Sequence, residues 1–71
     1  MNLKEMRETA GLSQVAVAEK IGEVTQGAVS QWEQGLTYPK PKKIQILAEL
    51  YGVTAGEIIT AITESREQAS A

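Results

Sequence analysis

The sequence predicts an all-α fold, a compact bundle of five helices. Apolar residues recur every three or four positions along the chain, which is the period of a helix that buries one face. No segment alternates with period two over the length of a strand. Glycines, prolines and capping residues divide the pattern into five stretches. We expect one domain over residues 1–63, followed by a polar, frayed tail, ESREQASA, over residues 64–71.

Each of the first two helices is expected to end at a glycine. The first covers about residues 3–10 and ends at Gly11, and its shared face carries Leu3, Met6, Arg7 and Ala10. Ser13 is a suitable N-cap for the second helix, because its hydroxyl accepts a hydrogen bond from a free N–H of the first turn. Gly22 ends that helix, and its buried side is predicted to hold Val17, Ala18 and Ile21.

The third helix is bounded by similar signals. After a turn at Glu23 and Val24, Thr25 is expected to cap a helix that runs to about Gln34 and stops at Gly35. One side of this helix is predicted to lie in the core and carries Ala28, Val29 and Trp32. At 100° per residue, the opposite side spans an arc of about 140° and carries Gln26, Gly27, Ser30, Gln31 and Gln34.

The last two helices follow a loop, LTYPKPKK, in which two closely spaced prolines exclude a regular helix. Pro41 suits the first turn of the fourth helix, where its missing N–H costs nothing, and Gly52 ends that helix. Thr54 and Glu57 have the spacing of a capping box for the fifth helix. The predicted apolar faces are Ile44, Leu47, Ala48 and Tyr51 on the fourth helix and Ala55, Ile58, Ile59 and Ile62 on the fifth.

The outer face of the third helix carries no formal charge. A solvated helix face normally carries Glu and Lys, whereas this one offers amides, a hydroxyl and a glycine. Amides and hydroxyls both donate and accept hydrogen bonds, which is what reading base edges in a major groove requires. Gln26 is the leading candidate, because a glutamine can pair with adenine through two hydrogen bonds. We therefore expect a sequence-specific protein whose partner is double-stranded DNA.

The composition argues against other classes of protein. The chain has no cysteine, histidine or aspartate, so we expect no disulfide, no metal, no cofactor and no enzyme activity. No glycine-rich phosphate loop or small-molecule site is evident. The first residues do not resemble a signal peptide, and no stretch approaches the roughly 20 apolar residues of a membrane span. The expected location is the bacterial cytoplasm or nucleoid, without a membrane partner.

Charge is distributed unevenly along the chain. The net charge is −2, and all nine acidic residues are glutamates. Three of the seven basic residues are Lys40, Lys42 and Lys43, and residues 35–48 contain no acid. Cations at the start of a helix are electrostatically disfavoured, and anionic DNA lying there would account for them. We therefore expect these three lysines to contact phosphates.

Several motifs at matching spacings resemble the lambda repressor/Cro-type helix-turn-helix family of bacteria and phages: GLSQ, AEKIG, TQGAVSQWEQG, YPKP and LAELYGVT. The resemblance covers about residues 3–62. It implies a five-helix bundle in which helices 2 and 3 form the helix-turn-helix. It also implies a transcriptional regulator that binds a roughly palindromic operator as a homodimer. The second interpretation, an antitoxin or another protein-interaction module of the same fold, remains open.

The resemblance also assigns roles to single residues. Gln26, Gly27, Ser30 and Gln31 match positions that meet bases or adjacent phosphates, and base reading falls to them. Gly27 could instead be tolerated only because it lies near the end of the helix. Gln14 is expected to touch a phosphate and brace the third helix, which Thr25 caps. Arg7 and Glu33 match an ion pair between the first and third helices. The resemblance does not assign Gln34 and Tyr38. From their positions, we expect Gln34 to face phosphate or solvent, and Tyr38 either to pack on Trp32 or to offer its hydroxyl to a phosphate.

The chain departs from the family pattern in its turn, and it carries a second apolar patch. The turn at Glu23 and Val24 is one residue longer than usual, which would tilt the third helix and move the base assignments by about one position. Val15 and Ala16 replace polar residues, so Ser13 has no capping-box partner. Ile46 and Leu50 lie away from most of the core face of the fourth helix. Together with the end of the fifth helix near Ile62, they are expected to form a dimer interface, the alternative being ordinary exposed apolar surface.

Overall fold

The computed structural model describes residues 1–70, with side chains through residue 67. Within this range the chain forms five helices and no strand. The helices are α1 (Leu3–Thr9), α2 (Gln14–Ile21), α3 (Gln26–Gln34), α4 (Pro41–Tyr51) and α5 (Ala55–Ser70). The predicted all-α bundle is therefore confirmed, and the first four helices lie within one residue of their predicted bounds.

Side-chain oxygens cap the starts of four helices. The predicted caps Ser13 and Thr25 accept from backbone N–H groups at 3.0 and 3.1 Å, and Thr54 does the same at 3.1 Å. Asn2 caps α1 in a full capping box with Glu5, which the sequence analysis did not identify. At α4, Pro41 occupies the first turn and Lys40 makes no side-chain cap bond. Local chemistry thus fixes where the helices begin.

The core lies where all five helices meet. Its fully buried side chains include Leu3, Val17, Val29, Leu47, Ile58 and Ile62. The predicted core positions Trp32 and Tyr51 are also buried. α2 packs mainly against α3, and α4 packs mainly against α5. Because α3 also contacts α1 and α5, and α2 contacts α4, the other three helices hold the helix-turn-helix in place.

No single helix among the described residues is long and apolar enough to cross a membrane. α4 and α5 satisfy such a test only together, as a pair bent by 106°.

Two isoleucines of α5 differ from their expected positions. Ile59 was predicted on the buried face but is 42% exposed, because the core covers the adjacent sector of the helix that carries Ile58 and Ile62. Ile62 was expected in a dimer interface but is 0% exposed. It is a core residue and is not available to a second copy. The expected patch is reduced to Ile46 and Leu50, which are both half-buried.

The first seven residues of the predicted tail, 64–70, lie in α5, which continues through Ser70. Ser65 is buried, and its hydroxyl donates to the carbonyl of Ala61 at 3.1 Å. The backbone of Ser65 lies against Gly35, where an added Cβ would come within 2.8 Å of the Ser65 carbonyl carbon. This close approach to the end of α3 gives the polar segment a packing partner. Residue 71 lies outside the described range.

Gly35→Ala is expected to destabilise the fold more than Gly52→Ala. Both glycines end helices with left-handed φ values of +76° and +68°, but a Cβ at Gly52 meets nothing within 4 Å. Gly52→Ala should therefore cost about 1 kcal/mol of unfolding free energy for the backbone conformation. Gly35→Ala adds a clash with backbone and should cost about 2–4 kcal/mol. Urea denaturation followed by circular dichroism measures both, and equal losses would contradict the contact between α3 and α5.

Candidate nucleic-acid interface

The outward side of α3 has the composition that the sequence predicts. Gln26, Gly27, Gln31 and Gln34 are exposed and Ser30 is half-buried. Val29 and Trp32, on the other side, are 1% and 6% exposed. The Gln34 amide donates to the Ser30 hydroxyl at 2.8 Å. The helix therefore presents a row of uncharged hydrogen-bonding groups to solvent.

The turn between α2 and α3 contains two consecutive residues with positive φ. Gly22 has φ +73° and ψ 157°, and Glu23 follows with φ +61°. A left-handed conformation is uncommon for a residue with a side chain, and Glu23 is the one non-glycine residue with positive φ among residues 1–70. Thr25 still caps the next helix, which begins at Gln26 as predicted. The start of α3 thus lies within hydrogen-bonding reach of α2.

The implied ion pair between α1 and α3 is present and largely buried. Arg7 Nε donates to Glu33 Oε2 at 2.6 Å and Nη2 donates to Oε1 at 3.3 Å. The two side chains are 11% and 6% exposed. The third donor, Nη1, bonds the Leu12 carbonyl at 3.0 Å. The hydrogen bonds to Glu33 raise the pKa of Arg7 above its usual value, against the opposing effect of burial.

Gln14 extends this pair to the outer face of α3. Its Nε2 donates to Glu33 Oε1 at 3.0 Å, and its Oε1 accepts from Gln26 Nε2 at 2.6 Å. Arg7, Glu33, Gln14 and Gln26 thus form a four-residue polar chain that joins α1, α2 and α3. The resemblance implied that Gln14 braces the third helix, and the structure supplies the contact. The two hydrogen bonds that link Gln14 to Glu33 and to Gln26 were not predicted, since no local spacing relates these residues.

Tyr51 lies beside the same pair, in the core. Burial raises the pKa of its phenol strongly, the charge of Glu33 raises it further, and Arg7 lowers it. The phenol is therefore neutral throughout the physiological range, as a core position requires.

The three lysines predicted to contact phosphates, Lys40, Lys42 and Lys43, form a basic edge at the start of α4. Lys40 and Lys42 are exposed, whereas Lys43 is half-buried. Lys43 Nζ is 3.9 Å from a carboxylate oxygen of Glu23, whose side chain is 91% exposed. The α2–α3 turn and the start of α4 therefore adjoin each other, with an open cavity of about 360 Å³ between them.

Tyr38 stands at the rim of this cavity. Trp32 lines the same cavity, yet Tyr38 remains 45% exposed. The guanidinium carbon of Arg66 lies 5.9 Å from the centre of the Tyr38 ring. Arg66 is not among the predicted site residues, because the segment after residue 63 was expected to be a frayed tail.

These features define a class of protein. Two helices joined by a short turn, with an uncharged polar face on the second and a basic edge beside it, form a DNA-binding helix-turn-helix domain. The sequence model of a helix-turn-helix family matches residues 3–58. The chain belongs to this family, the Cro/C1-type helix-turn-helix DNA-binding regulators. Searches of curated proteins and of solved structures found no match.

Arg7→Met is expected to destabilise the fold strongly, because it leaves the Glu33 carboxylate buried without its cation. Loss of one partner of a buried pair costs about 3–5 kcal/mol. Glu23→Gln is the matched control, because it removes an ion pair of which one side chain is almost fully exposed; such pairs contribute about 0–1 kcal/mol. Chemical denaturation at low and high salt compares the two. A loss below about 1 kcal/mol for Arg7→Met would contradict a structural role for the pair.

Proposed function

We propose that this protein is a sequence-specific transcriptional regulator, Cro-like or repressor-like, that inserts α3 into the major groove of an operator. The observation that carries the proposal is the exposed row of amide and hydroxyl groups along α3, with no charged side chain among its members. Such groups match the donor and acceptor patterns of base edges. Bound beside a promoter in a bacterial cytoplasm or nucleoid, the protein would block polymerase.

The base-reading positions in this proposal are Gln26, Gly27, Ser30 and Gln31. Gln26 begins the helix and is exposed. A Cβ at Gly27 would meet only the Thr25 hydroxyl, at an ordinary 3.6 Å. The fold itself therefore does not require a glycine there, which supports close approach of a base or sugar. Ser30 and Gln31 follow one turn further along the same face.

Phosphate contacts surround this face. The proposed groups are the exposed Lys40 and Lys42, the half-buried Lys43, and the uncharged side chains of Gln14, Thr25, Gln34 and Tyr38. The start of α4 adds free backbone N–H groups, which favour an anion. Lysines at this position neutralise phosphates without contributing sequence information. The proposal thus separates residues that position the protein from residues that read sequence.

A homodimer completes the proposal. Ile46 and Leu50 on α4 are half-buried apolar residues on the surface, and pairing through them is consistent with a two-fold axis. Two copies would then place their α3 helices in successive major grooves, about 34 Å apart.

Selection of bound sequences from random duplex DNA, at a stated salt concentration, tests this function. The expected result is enrichment of two related half-sites whose centres lie about one helical turn apart. A pool that remains random would contradict sequence-specific binding. A single enriched half-site would contradict only the homodimer and would leave sequence-specific binding in place.

Gln26→Ala is expected to weaken binding to the selected operator by about 1–3 kcal/mol and to relax preference at one base pair. Binding to random duplex should change little, because the residue is proposed to read a base and not a phosphate. Fluorescence anisotropy with both duplexes measures the two affinities. An equal loss on operator and random DNA would contradict the base-reading role.

Lys42→Ala is expected to weaken binding to all sequences alike. Each phosphate contact adds about 0.9 to the slope of log affinity against log salt concentration, so the slope should fall by about one unit. Lys4→Ala, at an exposed position on α1, is the matched control and should leave the slope unchanged. Titrations over a series of salt concentrations measure it. Identical slopes for the two variants would remove Lys42 from the interface.

A further inference from the structure

The four-residue polar chain has a fixed direction. It starts at the carboxylate of Glu33, which in its ionised form only accepts hydrogen bonds. Arg7 supplies two donors to it, and the Gln14 amide supplies a third from Nε2. A side-chain amide carries its donor and its acceptor on opposite atoms. Since Nε2 of Gln14 faces the carboxylate, its Oε1 faces the other way.

Gln26 receives this orientation through Gln14. Its Nε2 donates to Gln14 Oε1 at 2.6 Å, and the reversed amide would place two oxygens against each other. One N–H of Gln26 is therefore committed to the protein. The carbonyl oxygen and the second N–H of the same amide remain for a ligand. Gln26 thus presents one acceptor beside one donor, on the exposed start of α3.

We propose that Glu33 sets the base preference of Gln26, acting through Gln14, so that the protein selects adenine over guanine at the base pair that Gln26 meets. The proposal rests on the proposed function, since it assumes that Gln26 reads a base. Glu33 and Gln14 are positioning residues in it: Glu33 touches no DNA and determines which atoms of Gln26 face the groove. The Arg7–Glu33 pair then has a second role beyond holding α1 to α3.

The chemistry of the major groove gives the direction of the preference. Adenine presents an acceptor at N7 and a donor at N6, which complement the free N–H and the carbonyl oxygen of Gln26. Guanine presents two acceptors, N7 and O6. The fixed carbonyl oxygen of Gln26 would face O6, and the amide cannot rotate without losing its bond to Gln14. A Gln26 side chain released from Gln14 could turn its amide nitrogen to guanine. The discrimination between adenine and guanine therefore depends on the hydrogen bonds that join Gln26 to Gln14 and Gln14 to Glu33.

The test is Gln14→Met, which substitutes a side chain of similar size. It removes the hydrogen bonds of Gln14 to Glu33 and Gln26 and leaves the Arg7–Glu33 pair in place. The probes are the selected operator and the same duplex with guanine replacing adenine at the base pair whose preference Gln26→Ala relaxes. We expect the wild-type protein to favour the adenine duplex by at least tenfold. Gln14→Met should reduce that ratio by about fivefold or more, because any lost phosphate contact weakens both duplexes alike while the released Gln26 favours guanine more than before.

Two further variants make the result specific. Glu33→Gln replaces the obligate acceptor with a group that can present either atom to Gln14, and should lower the ratio in the same direction. Gln45→Met makes the same change as Gln14→Met at an exposed position on α4 and should leave the ratio unaltered. Circular dichroism establishes that each variant is folded; if Glu33→Gln unfolds, Gln14→Met decides the question.

The outcomes separate the two proposals. An unchanged ratio in folded Gln14→Met, or a wild-type preference for guanine, would overturn the role of Glu33 while leaving DNA recognition by α3 intact. A wild-type protein for which no base pair responds to Gln26→Ala would instead overturn base reading by this residue, and the role of Glu33 with it.

Discussion

The buried ion pair between Arg7 and Glu33 is the interaction on which the rest of this structure depends. α3 carries a carboxylate on a helix whose outer face must remain compatible with polyanionic DNA. Because the pair is nearly closed to solvent, the charge is neutralised inside the domain and α3 is fixed to α1. Oε1 of Glu33 also accepts a hydrogen bond from Gln14, which joins α2 to the same carboxylate. One carboxylate therefore joins α1, α2 and α3, and these contacts determine how the outer face of α3 is presented to solvent.

A second constraint acts at the other end of α3. Gly35 ends the helix in a left-handed conformation, and the backbone of Ser65 lies where a side chain at that position would project. α5 thus supports the end of α3, while Thr25 and the polar chain fix its start. The family match stops at residue 58, so this support comes from a part of α5 beyond the matched segment. Arg66 over the Tyr38 ring adds a contact between the same turn of α5 and the loop that follows α3.

The parts of this fold that the sequence predicted are those decided by local chemistry. Thr25 and Gly35 give the bounds of α3, since a hydroxyl cap and a left-handed glycine act on adjacent residues. The same periodicity could not separate Ile59 from Ile58, because a face of about 100° includes both and only packing decides which is covered. The continuation of α5 depends on contact with Gly35, which is distant in sequence. At the site, the exposed amide row was predictable, whereas the hydrogen bond from Gln14 to Glu33 arises only when α2 packs on α3.

The charge distribution explains why orientation matters so much in this protein. A chain of net charge −2 with a single cluster of lysines gains little affinity from counterion release, which grows with the number of phosphates neutralised. Under the proposed function, discrimination between sequences comes mainly from direct hydrogen bonds to bases. An amide that can rotate freely accepts from one base as readily as it donates to another, so uncharged residues read sequence only when something fixes their atoms. In this domain the fixing group is a carboxylate that cannot donate, held in place by a guanidinium that cannot accept. The direction set at this buried pair reaches the surface of α3 through the amides of Gln14 and Gln26.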